Sequence, residues 1–301
     1  MIENGLYGAP PRELVEISPH ALQLSPLVPG AQPLETLADA ALDDLIMLAP
    51  PGTDERAFAL AHGLRALKPG APFTILAPKD RGGSRLAKEL KGFGADFSET
   101  SRHHHRICTG TRPETLEGLD TAIARGSLRF DEKLGLWTQP GIFSWNRMDP
   151  GSAALLDILP PLSGRGADFG SGLGILAKHV LTSKDVTQLD LYDIDRRAVE
   201  ASRRNIEDPR VAAHWADIRM GTLPSGLDFV VMNPPFHDAG NENRTLGQVF
   251  IRRASAALRK GGVLWLTANR HLPYEAPLRD VFSRVEPRGE IAGFKLFEAR
   301  K

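Results

Sequence analysis

Short apolar runs closed by glycine or proline alternate along this chain with stretches of helical periodicity. Phe229-Val230-Val231-Met232 is apolar throughout, as expected of a strand covered on both faces. Ala167-Asp168-Phe169 and Gln188-Leu189-Asp190-Leu191-Tyr192 read as two more strands, with a helix beginning after Gly174 between them. Asp149 is a good N-cap for a helix running to Leu159, where Pro160 and Pro161 stop it. Leu134 to Ser144 reads as a short strand and turns. Val249, Ile251, Ala256 and Leu258 mark the inner face of a later helix, which places Arg252, Arg253 and Arg259 on its solvated side.

The pattern repeats. Asp44-Leu45-Ile46-Met47-Leu48-Ala49-Pro50-Pro51 parallels Asp228-Phe229-Val230-Val231-Met232-Asn233-Pro234-Pro235. Leu67-Lys68-Pro69-Gly70 before Phe73-Thr74-Ile75-Leu76 parallels Arg259-Lys260-Gly261-Gly262 before Val263-Leu264-Trp265-Leu266. Each half therefore predicts strand, double-proline turn, amphipathic helix, glycine-bearing turn and strand, in that order. In the first copy Ala49 replaces Asn233 and Gly52 replaces Phe236. The stretch before it is too short for the βαβαβ run that precedes the second copy. The expected organisation is a degenerate domain over 1–125, a linker over 126–150 and a working α/β domain over 151–301.

Composition narrows the class. The chain has 301 residues, 42% hydrophobic and 25% charged, with zero formal net charge. That is globular composition without the field of a dedicated nucleic-acid binder. No run approaches a membrane span, and the N-terminus lacks the pattern of a signal peptide. The single cysteine, Cys108, excludes an internal disulfide and fits a reducing cytoplasm. Acids dominate residues 1–60 and arginines and lysines residues 251–301, so a local RNA-facing patch is one reading of the C-terminal part. His103-His104-His105 in an extended segment would point alternate ways and has no acid or cysteine spaced for a site, so no metal is expected.

Candidate chemistry lies at three strand exits. Asn233 offers a side-chain amide oxygen, Pro234 a backbone carbonyl and Pro235 a stiff turn. Two acceptors close together suit an –NH2 that must be held while its nitrogen attacks, and Phe236 supplies a flat face for its ring. Gly170, Gly172 and Gly174 let a backbone turn sharply against a ligand where a helix starts. Asp193 closes the next strand, the place for a carboxylate that accepts from ribose hydroxyls. The spacing Gly-x-Gly-x-Gly departs from the dinucleotide pattern.

Glycine loop, acid and Asn-Pro-Pro-Phe in this order resemble a class I S-adenosylmethionine-dependent methyltransferase. The segments Trp137 to Ser144, Asp149-Pro150-Gly151-Ser152, Asn233 to Asp238, Ala268 to Tyr274 and Phe294-Lys295 resemble the ribosomal small-subunit methyltransferase C family and its relative, the large-subunit methyltransferase G family. The resemblance is strong from about 134 to 301 and weaker from about 42 to 110. Two departures stand out: a shorter N-terminal domain, and Ser171 where cysteine is common. The resemblance implies a Rossmann-like α/β sheet with helices on both faces, preceded by a smaller degenerate methyltransferase-like domain. It implies S-adenosyl-L-methionine as cofactor and the N2 amine of a guanine in small-subunit (16S) ribosomal RNA as acceptor, in a cytoplasmic monomer. Asp168 would then reach the cofactor ammonium, Ile194 pack on its adenine, Asp217 accept from the adenine amine, and Asn233 with Pro234 hold the guanine amine. His237 and Asp238 either position the base or cap the loop; Asn269 and Tyr274 either border the base pocket or pack in the core. Two other readings stay open: methylation of another –NH2 (guanine N2 in 23S ribosomal RNA, adenine N6 or protein glutamine), and a non-catalytic RNA-binding relic of the fold.

Overall fold

The computed structural model describes residues 4–235, 237–238, 241–242 and 244–301, and of 237–244 the backbone alone. It divides into two compact units, Met1–Leu128 with Gln139–Gly141, and Arg129–Thr138 with Ile142–Lys301. Residues 129–138 and 142–150 of the expected linker thus fall in the second unit.

The first unit contains β1 (Asn4–Tyr7), β2 (Leu22–Gln23), β3 (Asp44–Leu48), α1 (Thr53–Ala66), β4 (Pro72–Pro78), α2 (Ser84–Gly92), β5 (Asp96–Arg102), β6 (His105–Thr111) and α3 (Leu119–Gly126). Its sheet runs β2-β1-β3-β4-β6-β5, with β2, β1, β3 and β4 parallel and β6 and β5 antiparallel. Leu45, Met47, Phe73 and Ile75 on the sheet pack with Leu60 and Leu64 of α1, all fully buried. No α-helix separates β1, β2 and β3, only a 3-10 turn at Leu34–Thr36, as the short approach to Asp44 predicts. His103 and His104 form the turn between β5 and β6 at positive φ (43° and 59°).

The second unit opens with the hairpin β7 (Arg129–Asp131) and β8 (Leu136–Thr138), then α4 (Pro150–Leu156). There follow β9 (Gly164–Phe169), α5 (Ile175–Val180), β10 (Val186–Asp193), α6 (Arg196–Asn205), β11 (Val211–Trp215) and β12 (Leu227–Met232). The chain continues through β13 (His237–Asp238), β14 (Asn241–Glu242), α7 (Arg244–Ala257), β15 (Leu258–Asn269), α8 (Glu275–Val281), β16 (Arg284–Ile291) and β17 (Phe294–Arg300). The sheet order is β11-β10-β9-β12-β15-β17-β16, parallel through β15 and antiparallel beyond. Side-chain alternation splits β12 between two cores. Phe229 and Val231 join the cluster that includes Leu155 of α4 and Leu176 of α5, while Val230 and Met232 join the one that includes Phe250 of α7 and Leu278 of α8. Helices therefore cover both faces, as a parallel sheet requires. With β11 removed, this order is that of the first unit, strand for strand.

Local departures from the sequence reading have simple causes. Regular α4 ends at Leu156, but Asp157 keeps helical dihedrals and the Leu159 N–H still donates to the Leu155 carbonyl at 3.0 Å, so the helical bonding runs on to the prolines. Arg259 lies in β15 rather than on α7, where its guanidinium pairs with Asp228 at 2.6 Å. Arg253 is not solvated: its Nε donates to the Ile218 carbonyl at 2.8 Å. Tyr274 is fully buried in the core, so it packs rather than lining an open pocket.

Candidate active site

Strand order reverses at β9, whose neighbours β10 and β12 connect to opposite sides of the sheet, and an open α/β sheet binds ligands at such a point. Register fixes what meets there. Phe169 pairs with Tyr192 and with Met232, so Gly170, Asp193 and Asn233 all follow from one level of the sheet. Asp193 pairs in turn with Trp215, which brings Asp217 to the same end.

The glycine loop is held by its neighbours. Gly170 and Ser171 N–H donate to the Tyr192 carbonyl at 2.9 and 3.1 Å, and Gly172 N–H to Asp193 Oδ2 at 2.8 Å. Gly172 has φ +52°, and a Cβ there would meet nothing within 4 Å, so this face of the loop is open. A Cβ on Gly170 would come within 3.9 Å of the Asn233 carbonyl and of Pro235 Cδ, which places the loop beside the double-proline exit. Asn205, outside the sequence reading, ties this loop to β8: its Nδ2 donates to the Leu173 and Trp137 carbonyls at 3.0 Å each.

The charges are unusual. Asp168 is fully buried, and neither of its carboxylate oxygens has a hydrogen-bond partner among the described residues. Burial, reinforced by the Asp193 charge, pushes its pKa up to about 8. Burial also raises Asp193 to about 6, against the Asp195 N–H, which donates to its Oδ1 at 2.8 Å. The nearby Ser171 hydroxyl is likewise buried and has no partner among the described residues. Ile194 is half-buried, its carbonyl fixed by the Trp215 indole N–H at 2.8 Å. Asp217 is committed differently: Arg219 grips both its oxygens at 2.8 to 3.0 Å. Burial raises the Asp217 pKa, but the bonds from Arg219 outweigh it and the carboxyl sits below its ordinary value.

At the exit of β12, Asn233 is half-buried, Pro234 buried and Pro235 exposed. Asn233 Nδ2 donates to Asp149 Oδ2 at 2.7 Å and to Ser152 Oγ at 3.0 Å. Its Oδ1 and the Pro234 carbonyl accept from none of the described residues. Phe236, expected to stack on the target ring, lies outside the described residues, as do the side chains of His237 and Asp238. Three chain segments thus converge: a buried acid under an open glycine loop, a strand-end acid, and an asparagine–proline pair whose acceptors none of the described residues uses.

The family model described as methyltransferase small domain matches residues 133–298, more than half of the chain. The chain belongs to this family. Among similar proteins is the ribosomal RNA small subunit methyltransferase C of Pseudomonas entomophila, 29% identical over 272 residues, or 87% of this chain and 80% of that one. Its namesake in Acinetobacter baylyi is 26% identical over 274 residues, covering 88% and 81%. A solved structure titled as the T. thermophilus 16S rRNA N2 G1207 methyltransferase in complex with AdoMet and guanosine has TM-score 0.80. Identity to it is 23%, with 100% of this chain and 88% of that one covered, so it supports the fold across both units.

Proposed function

We propose that this chain transfers a methyl group from S-adenosylmethionine to the N2 amine of a guanine in small-subunit ribosomal RNA, acting in the cytoplasm as a single chain. The observation that carries the reading is the pair of acceptors at the β12 exit, the Asn233 Oδ1 and the Pro234 carbonyl, beside the glycine loop. The names of the relatives support RNA as substrate and guanine N2 as target.

The residues present fit the cofactor. An unpartnered buried carboxylate at Asp168 calls for a cationic donor, and the cofactor's ammonium is one. Gly170 and Gly172 leave its methionine end room, whereas at Gly174 a Cβ would lie 2.7 Å from Ile206 Cδ1, so that glycine packs the loop onto the protein. Asp193 retains lone pairs for ribose hydroxyls, and Ile194 offers an apolar surface to adenine. Asp217 would share its carboxylate between Arg219 and the adenine amine. When bound, S-adenosylmethionine supplies an electrophilic methyl on a sulfonium and departs as the neutral thioether.

The guanine amine is a weak nucleophile because its lone pair is delocalised into the ring. Asn233 Oδ1 and the Pro234 carbonyl accept its two hydrogens, which favours a pyramidal nitrogen and aims the lone pair. The nitrogen forms the new N–C bond as the C–S pair returns to sulfur, and the extra proton leaves afterwards. No strong base is needed before transfer. Phe236, following Pro235, would stack on a base turned out of its helix.

The test is methyl transfer from labelled cofactor to unmethylated ribosomal subunits, with mass spectrometry of the digested nucleosides. N2-methylguanosine in small-subunit RNA is expected. N6-methyladenosine, or label confined to protein, would overturn the substrate assignment.

A further inference from the structure

The amide of an asparagine has two ends of nearly equal size and opposite hydrogen-bonding sense. Asn233 can hold a substrate –NH2 only if its oxygen, not its nitrogen, faces the substrate. Something must therefore decide which way this amide points, and that something lies in residues 149–152. An ionised carboxylate accepts and never donates, so the side of Asn233 that meets Asp149 Oδ2 at 2.7 Å must be the NH2 end. Ser152 Oγ accepts the second hydrogen at 3.0 Å. With both hydrogens engaged, the oxygen is left on the opposite side.

The environment makes this arrangement firm. Asp149 and Ser152 are 7% and 8% exposed, where a charge-assisted bond is screened little. Asp149 is itself anchored as the N-cap of α4, accepting from Ser152 N–H at 2.7 Å. The other side is closed by β17: a Cβ on Gly151 would lie 2.7 Å from Phe294 Cε1 and 3.1 Å from Asp149 Oδ2. Glycine at 151 thus lets the Phe294 ring sit against the helix start beside the carboxylate. Phe294 thus packs on the helix start that holds the amide.

We propose that Asp149, assisted by Ser152, is a positioning residue that sets the sense of the Asn233 amide for methyl transfer. The inference rests on the reading of Asn233 as the acceptor for the reacting amine. Without the carboxylate, the amide is free to turn its NH2 toward the substrate amine, donor against donor, and the productive complex is depopulated.

The test separates orientation from capping and from the site assignment itself. Asp149→Ser keeps a good N-cap residue but is too short to reach Asn233. Its kcat should fall about 10- to 100-fold, as when a group that orients a reacting residue is lost, with Tm and cofactor affinity near wild type. Asn233→Asp sets two carboxylates against each other and should be severely impaired. Asp149→Ser with wild-type kcat would overturn the orienting role. A parallel fall in Tm, cofactor affinity and kcat in Asp149→Ser would also overturn it, by reducing Asp149 to a cap. Full transfer by Asn233→Ala would instead overturn the reading of Asn233, a result distinct from all of these.

Discussion

Twice the chain leaves a buried parallel strand through a pair of prolines, at Ala49-Pro50-Pro51 after β3 and at Asn233-Pro234-Pro235 after β12. In the first unit α1 begins at Thr53 and its Arg56, 1% exposed, turns back beneath the exit. Arg56 Nη1 donates to the carbonyls of Pro50 and Pro51 at 3.1 and 2.8 Å, while Nε and Nη2 hold Glu89 at 2.6 and 2.7 Å. The proline carbonyls there are consumed by the protein's own guanidinium. In the second unit the corresponding Pro234 carbonyl accepts from no described residue, and the neighbouring amide is held from behind by Asp149. One turn has been sealed by a side chain shaped like the edge of a guanine; the other keeps its acceptors for a visitor. The two exits thus differ by more than Ala49 in place of Asn233: at the first, the carbonyl acceptors are satisfied within the protein.

The largest effect is expected at the open turn. Asn233→Ala should lower kcat by about 10²- to 10³-fold, the scale of losing one preorganised polar contact to a transition state, with cofactor affinity nearly unchanged. Equal losses in both would contradict the acceptor role. At the sealed turn the effect falls on stability: Arg56→Met leaves Glu89 and two carbonyls without a partner and should destabilise the first unit by about 3–5 kcal/mol in denaturant titrations. Cofactor affinity in that variant, measured below the unfolding transition, should match wild type; a loss there would tie the first unit to cofactor binding. Asp193→Ala should weaken cofactor binding about 10- to 100-fold, the range for a hydrogen bond to a charged group. Unchanged affinity would refute the ribose contact.

A smaller effect concerns pH. Asp168 and Asp193 have pKa values raised by burial to about 8 and about 6, so the folded protein binds more protons than the unfolded chain between the ordinary carboxylate value and those values. Stability of the cofactor-free protein should therefore fall as pH rises through this window. Asp168→Asn should remove the part of the slope between about pH 6 and 8, and saturating cofactor should flatten it in the wild type. A stability that rises over that interval would contradict the unpartnered state of Asp168. In the first unit burial raises the Asp44 carboxyl and lowers His62 to about 4, contributions of opposite sign to the pH dependence of its unfolding.

Much of the working unit was legible in the sequence because its determinants are local. An apolar run, a glycine loop and a terminal acid each specify a strand exit, and alternating β/α order brings exits with parallel strands to one end of the sheet. The recurrence of strand, double proline and helix was legible for the same reason, in residues 44–51 against 228–235, and the two sheets share one strand order apart from β11. What stayed hidden depends on pairing between distant positions. Asp149 reads in sequence as a helix cap, and its second role with Asn233 needs the packing of α4 beside β12 to appear. Arg56 reads as one more arginine of an amphipathic helix until Gly82 and Glu89 enclose it. The placement of Arg259 in β15 rather than α7 follows from a register shift between Leu227 and Phe229, which no periodicity announces.

The comparison is tested most directly by calorimetric titration of S-adenosylmethionine into the full chain, repeated with Asp193→Ala. One site per chain, lost or much weakened in the variant, is the result expected of one open and one sealed exit. Two sites per chain, or a single site that Asp193→Ala leaves intact, would contradict it.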